Sequence, residues 1–234
     1  MAVSLRAVSS NASIAEGADT CAKPTGTAAG DLLLAFQSAD LGTLAQIGTP
    51  TGGTTWQLLA SRASGTDADL KTKIWWKIAG SSEPATYGFT WSSISYACIA
   101  IAALQGAGTS TPVVAQTGND VADTTVPTPS GTPTGSDDLE LRWGAASALG
   151  LDIPGWTPPA TYTKQVDITA GEYPTVSLAT KVLTSSAATG SLNFATSSSV
   201  SYRHGFTVDV ASAISPAPRA PVVMSQAAIR ASRW

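Results

Sequence analysis

Across residues 70–78 the residue type switches at every step. Leu70, Thr72, Ile74, Trp76 and Ile78 fall on one side of an extended chain, and Lys71, Lys73, Trp75 and Lys77 on the other. A period of two means a strand, because successive side chains of extended backbone point to opposite faces. The pattern predicts a strand with one face in the core and one toward water. The next segment repeats it: Ala85, Tyr87, Phe89 and Trp91 share a face opposite Thr86, Gly88, Thr90 and Ser92, and the SSEP run at 81–84 is the turn between the two strands. The third, SYACIAIAAL at 95–104, is apolar on both faces, as expected only of a central strand covered twice, so something must lie over its outer face.

Similar strands are read at 3–8, 31–36, 139–143, 162–168, 176–183, 191–196 and 202–210, separated by Gly, Pro, Ser and Thr clusters. About ten short strands with no sustained helical stripe predict an antiparallel two-sheet β-sandwich. The halves also echo each other. GDLLLAFQSAD at 30 is answered by SDDLELRWGAAS at 136, and WWKIAGSSEPATYGFTWSS by TKVLTSSAATGSLNFATSS at 180. The expectation is a duplicated strand unit supplying two facing sheets across residues 1–214, its halves at about 1–108 and 136–214. The Thr- and Pro-rich stretch 109–135 reads as a crossover between them, or else as an interdomain linker.

Composition bounds the function. Only 12% of residues are charged, about half the usual share of roughly 25%, and the net charge is −3. No positive field exists to attract nucleic acid or an anionic membrane. No apolar run approaches the ~18–20 residues of a membrane-spanning helix, and residues 1–30 do not read as a secretory signal, which predicts a protein made in a cytoplasm. Cys21 and Cys98 lie far apart with no second thiol near either, so both are expected to be buried and free.

Residues 215–234 break the strand pattern. Pro216, Pro218 and Pro221 favour an extended arm, and its only charges are Arg219, Arg230 and Arg233, which leaves ten basic against sixteen acidic residues in the rest. Val222, Val223, Met224, Ile229 and Trp234 make this a candidate assembly arm that docks on another subunit, or folds back over the strand at 97–104.

Catalysis is hard to seat. With one histidine, His204, and no G-x-S-x-G, a serine-type triad has little to work with; His204 reads as a core-edge residue bonded to backbone. No phosphate-cradling loop occurs, and no cofactor or metal is expected. The acidic sets Asp67/Asp69, Asp120/Asp123 and Asp137/Asp138 with Glu140 read as solvated loop charge. The seven tryptophans are more informative. Trp76 and Trp91 have core parity, and Trp56 and Trp156 read as caps on the sandwich rim. Trp75, flanked by Lys73 and Lys77, is the candidate surface platform, unless a second layer or a neighbouring subunit covers it.

The series KPTGTAAGDLLLAF, TTWQLLAS and KIWWKIAGSSEPATYGFTWSS, followed by a long apolar strand ending ALQGAG, resembles a jelly-roll domain of virion proteins of tailed phages that infect actinobacteria. The resemblance spans roughly residues 3–210 and implies a jelly-roll-like sandwich with an extended C-terminal arm. It also implies a non-enzymatic virion component, a minor tail or capsid-surface protein, with other virion proteins and copies of itself as partners. The alternative expectation is a carbohydrate-binding module that recognises a host cell-surface glycan.

Overall fold

In a computed structural model the described residues are 2–41, 43–64, 69–119, 122–147, 155–171 and 173–213. They form thirteen strands and no α-helix. The first half contains β1 (Ser4–Ala22), β2 (Leu32–Leu41), β3 (Gln57–Ala63), β4 (Asp69–Ile78) and β5 (Thr86–Gln105). The second contains β6 (Val113–Asn119), β7 (Asp123–Thr128), β8 (Leu139–Ser147), β9 (Trp156–Thr157), β10 (Thr163–Thr169), β11 (Thr175–Val182), β12 (Leu192–Val200) and β13 (Tyr202–Val210).

Each half builds its own antiparallel five-stranded sheet, in the order β1-β5-β2-β4-β3 for one and β6-β13-β8-β11-β10 for the other. The two orders match strand for strand once β1 is set against β6, β5 against β13, β2 against β8, β4 against β11 and β3 against β10. The duplication legible in the sequence is therefore a duplication of sheet topology. The stretch 109–135, read as a crossover, is corrected: it holds β6 and β7, the counterpart of the long β1 cut in two.

The inner faces of the sheets meet in the main core. Leu32, Leu34, Phe36, Ile74 and Trp76 come from one sheet, and Leu139, Leu141, Trp143, Leu178 and Phe206 from the other. Phe36 and Trp143 occupy equivalent positions in β2 and β8, and their rings stack across the interface at 5.0 Å and 21°. Sheet-on-sheet packing of this kind makes a sandwich, and more layers follow outside it.

On the outer face of the first sheet, β1 and β5 fold back over their own sheet. The bend sits at the register shift between Glu16 and Ala18, where Gly17 has φ +80, a backbone that a side chain with a Cβ resists. The distal halves bring Cys21, Tyr87, Phe89 and Trp91 down onto Leu33, Ala35, Trp75, Ile99 and Ile101, with Ile47 and Trp56 completing the layer. The doubly apolar strand at 97–104 is thus covered by the chain's own first half. On the second sheet the cover is a separate three-stranded sheet, β7-β12-β9, which packs Val126, Trp156, Phe194 and Val200 against Ala146 and Ala179. Among the described residues no helix is long and apolar enough to cross a membrane.

Candidate functional site

The platform expected at Trp75 is corrected by the covering layer. Trp75 is 4% exposed and Lys77 1%, while Lys73 is half-buried. Strand parity assigned these side chains to the outer face correctly, but that face is dry. The lysines are there because the segment laid over them is irregular and brings carbonyl groups that no ladder satisfies. Lys73 Nζ donates to the Ile47 carbonyl at 2.8 Å, Lys77 Nζ to the Gly52 and Thr54 carbonyls at 2.9 and 3.3 Å, and the neighbouring Lys71 Nζ to the Ser64 carbonyl at 2.6 Å. The alternating strand is a row of ammonium clamps whose stems pack in the core and whose heads hold loops down.

Lys77 is the most enclosed of them. Its ammonium lies 4.7 Å from the Trp56 ring centroid and 4.5 Å from that of Tyr87, and pairs with Glu83 at 2.7 Å. Glu83 also accepts from the Gly80 amide at 2.8 Å and from the Tyr87 hydroxyl at 3.0 Å. Burial pulls the ammonium below the usual lysine range, partly offset by Glu83. For Glu83 burial acts upward, but its donors outweigh it and hold the carboxyl below its ordinary value.

The second half places ionisable groups where the first has apolar ones. Leu33 and Ala35 of β2 correspond to Glu140 and Arg142 of β8; Ala103, opposite Leu33, corresponds to Asp209, opposite Glu140. Glu140 and Arg142 are both fully buried. Arg142 Nε donates to Glu140 at 2.6 Å, and its other nitrogens reach the Thr128 hydroxyl at 2.7 Å, the Thr189 hydroxyl at 3.0 Å and the Gly190 carbonyl at 2.9 Å. Glu140 also accepts from the Tyr162 and Thr189 hydroxyls. Asp209 accepts from the Thr132 amide at 2.6 Å, while its other oxygen has no partner. Burial raises the Asp209 carboxyl well above the aspartate range, and the Glu140 charge beside it acts the same way.

The reading of the Asp137/Asp138/Glu140 set as solvated charge holds only for Asp137, which is exposed. Asp138 is 1% exposed and accepts from the Thr134 hydroxyl and from the Thr134, Gly135 and Ser212 amides, all within 2.9 Å. It is a turn cap, since a buried carboxylate must be matched by donors. Asp123 is exposed and pairs with Arg203 at 3.1 Å. Asp67 and Asp120 lie outside the described residues, and the side chain of Asp69 is not among those described.

His204 is buried, as its parity indicated, but its partners are side chains rather than backbone. Nε2 meets Ser64 Oγ at 2.9 Å and Nδ1 meets Thr72 Oγ1 at 3.0 Å; a chain of hydroxyls continues through Ser38 to the Trp143 indole N–H. A serine hydroxyl on an imidazole nitrogen is the geometry of a nucleophile and its base. Here the imidazole is a weak base. Burial, with the Arg62 and Lys71 charges nearby, pushes the His204 pKa down to about 3, and a threonine stands where a carboxylate would stabilise the imidazolium. The pair bridges the two sheets instead.

Cys21 and Cys98 are free and buried, as expected, with burial raising their thiols to about 11 and about 12. Trp56 and Trp156 cap the outer cores of the two halves, each edge-on to an aromatic ring, Tyr87 at 5.4 Å and Phe194 at 5.6 Å. Among the described residues no three His, Cys, Asp or Glu side chains gather as metal ligands would. The arm residues Arg219, Val222, Val223, Met224, Ile229, Arg230, Arg233 and Trp234 lie outside the described residues. Sequence reasoning missed the Glu140–Arg142–Asp209 cluster. The signal was present, because the echo aligns Glu140 and Arg142 with Leu33 and Ala35 of the apolar run LLLAF at 32–36.

No protein-family model, curated protein or solved structure matches this chain.

Proposed function

We propose that the chain is a non-enzymatic structural component of a tailed-phage particle, a minor tail or capsid-surface protein that acts by packing against other particle proteins and copies of itself. Kinship with the jelly-roll domains of such particles is part of this proposal and rests on the sequence resemblance.

The observation that carries the assembly reading is a recess walled by small residues. Ala211, Ser212 and Ala213 form one wall of a recess of about 570 Å3, whose other walls come from residues 107–110 and from Thr134, Gly135 and Asp138. Small residues let chains approach closely at little cost in side-chain entropy, and the reading gives the apolar, Arg-bearing segment 215–234 the role of assembly arm. The fate of the tryptophans supports assembly over glycan recognition. All six described tryptophans are buried, so none offers the free ring face on which a sugar stacks.

Removal of residues 215–234 tests the reading. The truncated protein is expected to keep the melting temperature of the full chain and to lose self-association in analytical ultracentrifugation and incorporation into particles. A truncated protein that assembles like the full chain would overturn the role given to the arm.

A further inference from the structure

The two halves differ at one ionic feature that the duplication makes visible. Lys77 pairs with Leu33 in the sheet register and Lys181 with Glu140, so the two lysines hold matching positions on the outer faces of β4 and β11. In the first half the turn after the strand, AGSSEPA at 79–85, returns Glu83 to Lys77 at 2.7 Å. The corresponding turn, LTSSAAT at 183–189, has Ala187 where Glu83 stands. A cavity of about 170 Å3 lies there, lined by Lys181, Tyr162 and the residues of that turn, including the hydroxyl-bearing Thr184, Ser185 and Thr189.

The Lys181 ammonium rests on the Tyr162 ring, 5.4 Å from its centroid, as Lys77 rests on Tyr87, but among the described residues no carboxylate lies within ion-pair distance of it. Glu140, beneath the cavity, is already matched by Arg142, Tyr162 and Thr189. Arg142 also lies 5.2 Å from the Tyr162 ring centroid, so two cations share this ring. At ~30 Å3 per water the cavity has room for about five waters, enough for the tip of a carboxylate group.

We propose that this cavity is a carboxylate-binding site, in which a carboxylate brought by a ligand takes the place beside Lys181 that Glu83 takes beside Lys77. The ligand is a free small carboxylate or an acidic side chain of a partner protein. The proposal does not rest on the assembly reading and survives its failure.

Amide chemical-shift titration of the full chain at low ionic strength tests it, with sodium acetate as one probe and a short glutamate peptide, against its glutamine counterpart, as the other. Saturable shifts confined to the turn at 183–190 are expected from at least one carboxylate probe and none from the glutamine peptide. Saturation by acetate identifies a small-molecule site, and saturation by the glutamate peptide alone identifies a protein partner. K181M is expected to weaken binding about tenfold or more, the scale of a lost charge-assisted contact. A187E, at an exposed turn position, supplies the carboxylate in cis and is expected to abolish the titration. K23M, which removes a lysine of the first half, leaves it unchanged. Titrations that persist undiminished in both K181M and A187E, or shifts scattered over the surface without saturation, would overturn the proposal.

Discussion

Trp75 and His204 are two residues whose neighbours decide what they do. An outward tryptophan between lysines would be a recognition platform on a single-layer surface. Under the folded-back halves of β1 and β5 it is core, and Trp75→Ala is expected to cost about 3–5 kcal/mol of stability, as other buried aromatic truncations do. Urea unfolding measures this; a loss below about 1 kcal/mol would mean that the covering layer does not seat on Trp75. His204 carries a pH signature. Its folded pKa lies near 3, below the ordinary 6.5, so between those values the unfolded chain takes up a proton that the folded chain refuses. The stability that the neutral imidazole contributes is complete above about pH 6.5 and is lost as the pH falls toward 3, with a slope of at most about 1.4 kcal/mol per pH unit. His204→Gln keeps hydrogen-bonding capacity without titrating there, so its melting temperature should fall less steeply than that of the wild type between pH 6.5 and 4. Parallel curves would show that His204 is not the titrating group.

The lysine row on β4 and the fold-back of β1 and β5 are two halves of one device. A loop can lie over a sheet only if its carbonyls find donors, and Lys71, Lys73 and Lys77 deliver them from below. In the second half the donors also rise from the sheet beneath the cover: Arg142 reaches the Gly190 carbonyl, Arg203 the Thr125 carbonyl and Thr207 the Pro129 carbonyl. That cover sits close. A Cβ added at Gly205 of β13 would lie 1.8 Å from the Pro127 carbonyl oxygen of β7, a collision with backbone that no side-chain rotation relieves. Gly205→Ala is expected to lower stability by about 3 kcal/mol, the upper end of overpacking costs, and to raise hydrogen exchange in β7 and β12 before it does so in β1–β5. Unchanged protection in those two strands would mean that the cover does not bear on Gly205.

The two sheets share one core, and this decides how the molecule unfolds. A fragment of residues 1–111 would expose the inner face of its sheet, Leu32, Leu34, Phe36, Ile74 and Trp76 among others, a patch far larger than soluble monomers tolerate. Neither this fragment nor residues 112–234 is expected to melt cooperatively alone, whereas the full chain should show a single transition. A sharp melt and dispersed amide signals from residues 1–111 would instead make each half, with its own outer core, an independent domain. What the sequence determined by itself was the strand character of most segments, the direction each side chain points, the duplication of the unit and the need for a cover over the strand at 97–104. All of these depend on residues near in sequence, or on one segment compared with its echo, since extended backbone alternates regardless of what lies beyond it. Tertiary structure alone decided which faces are dry. Burial of Trp75, Lys77, Glu140 and Arg142 depends on strands and loops distant in the chain arriving above them, and parity is the same whether water or another layer lies there.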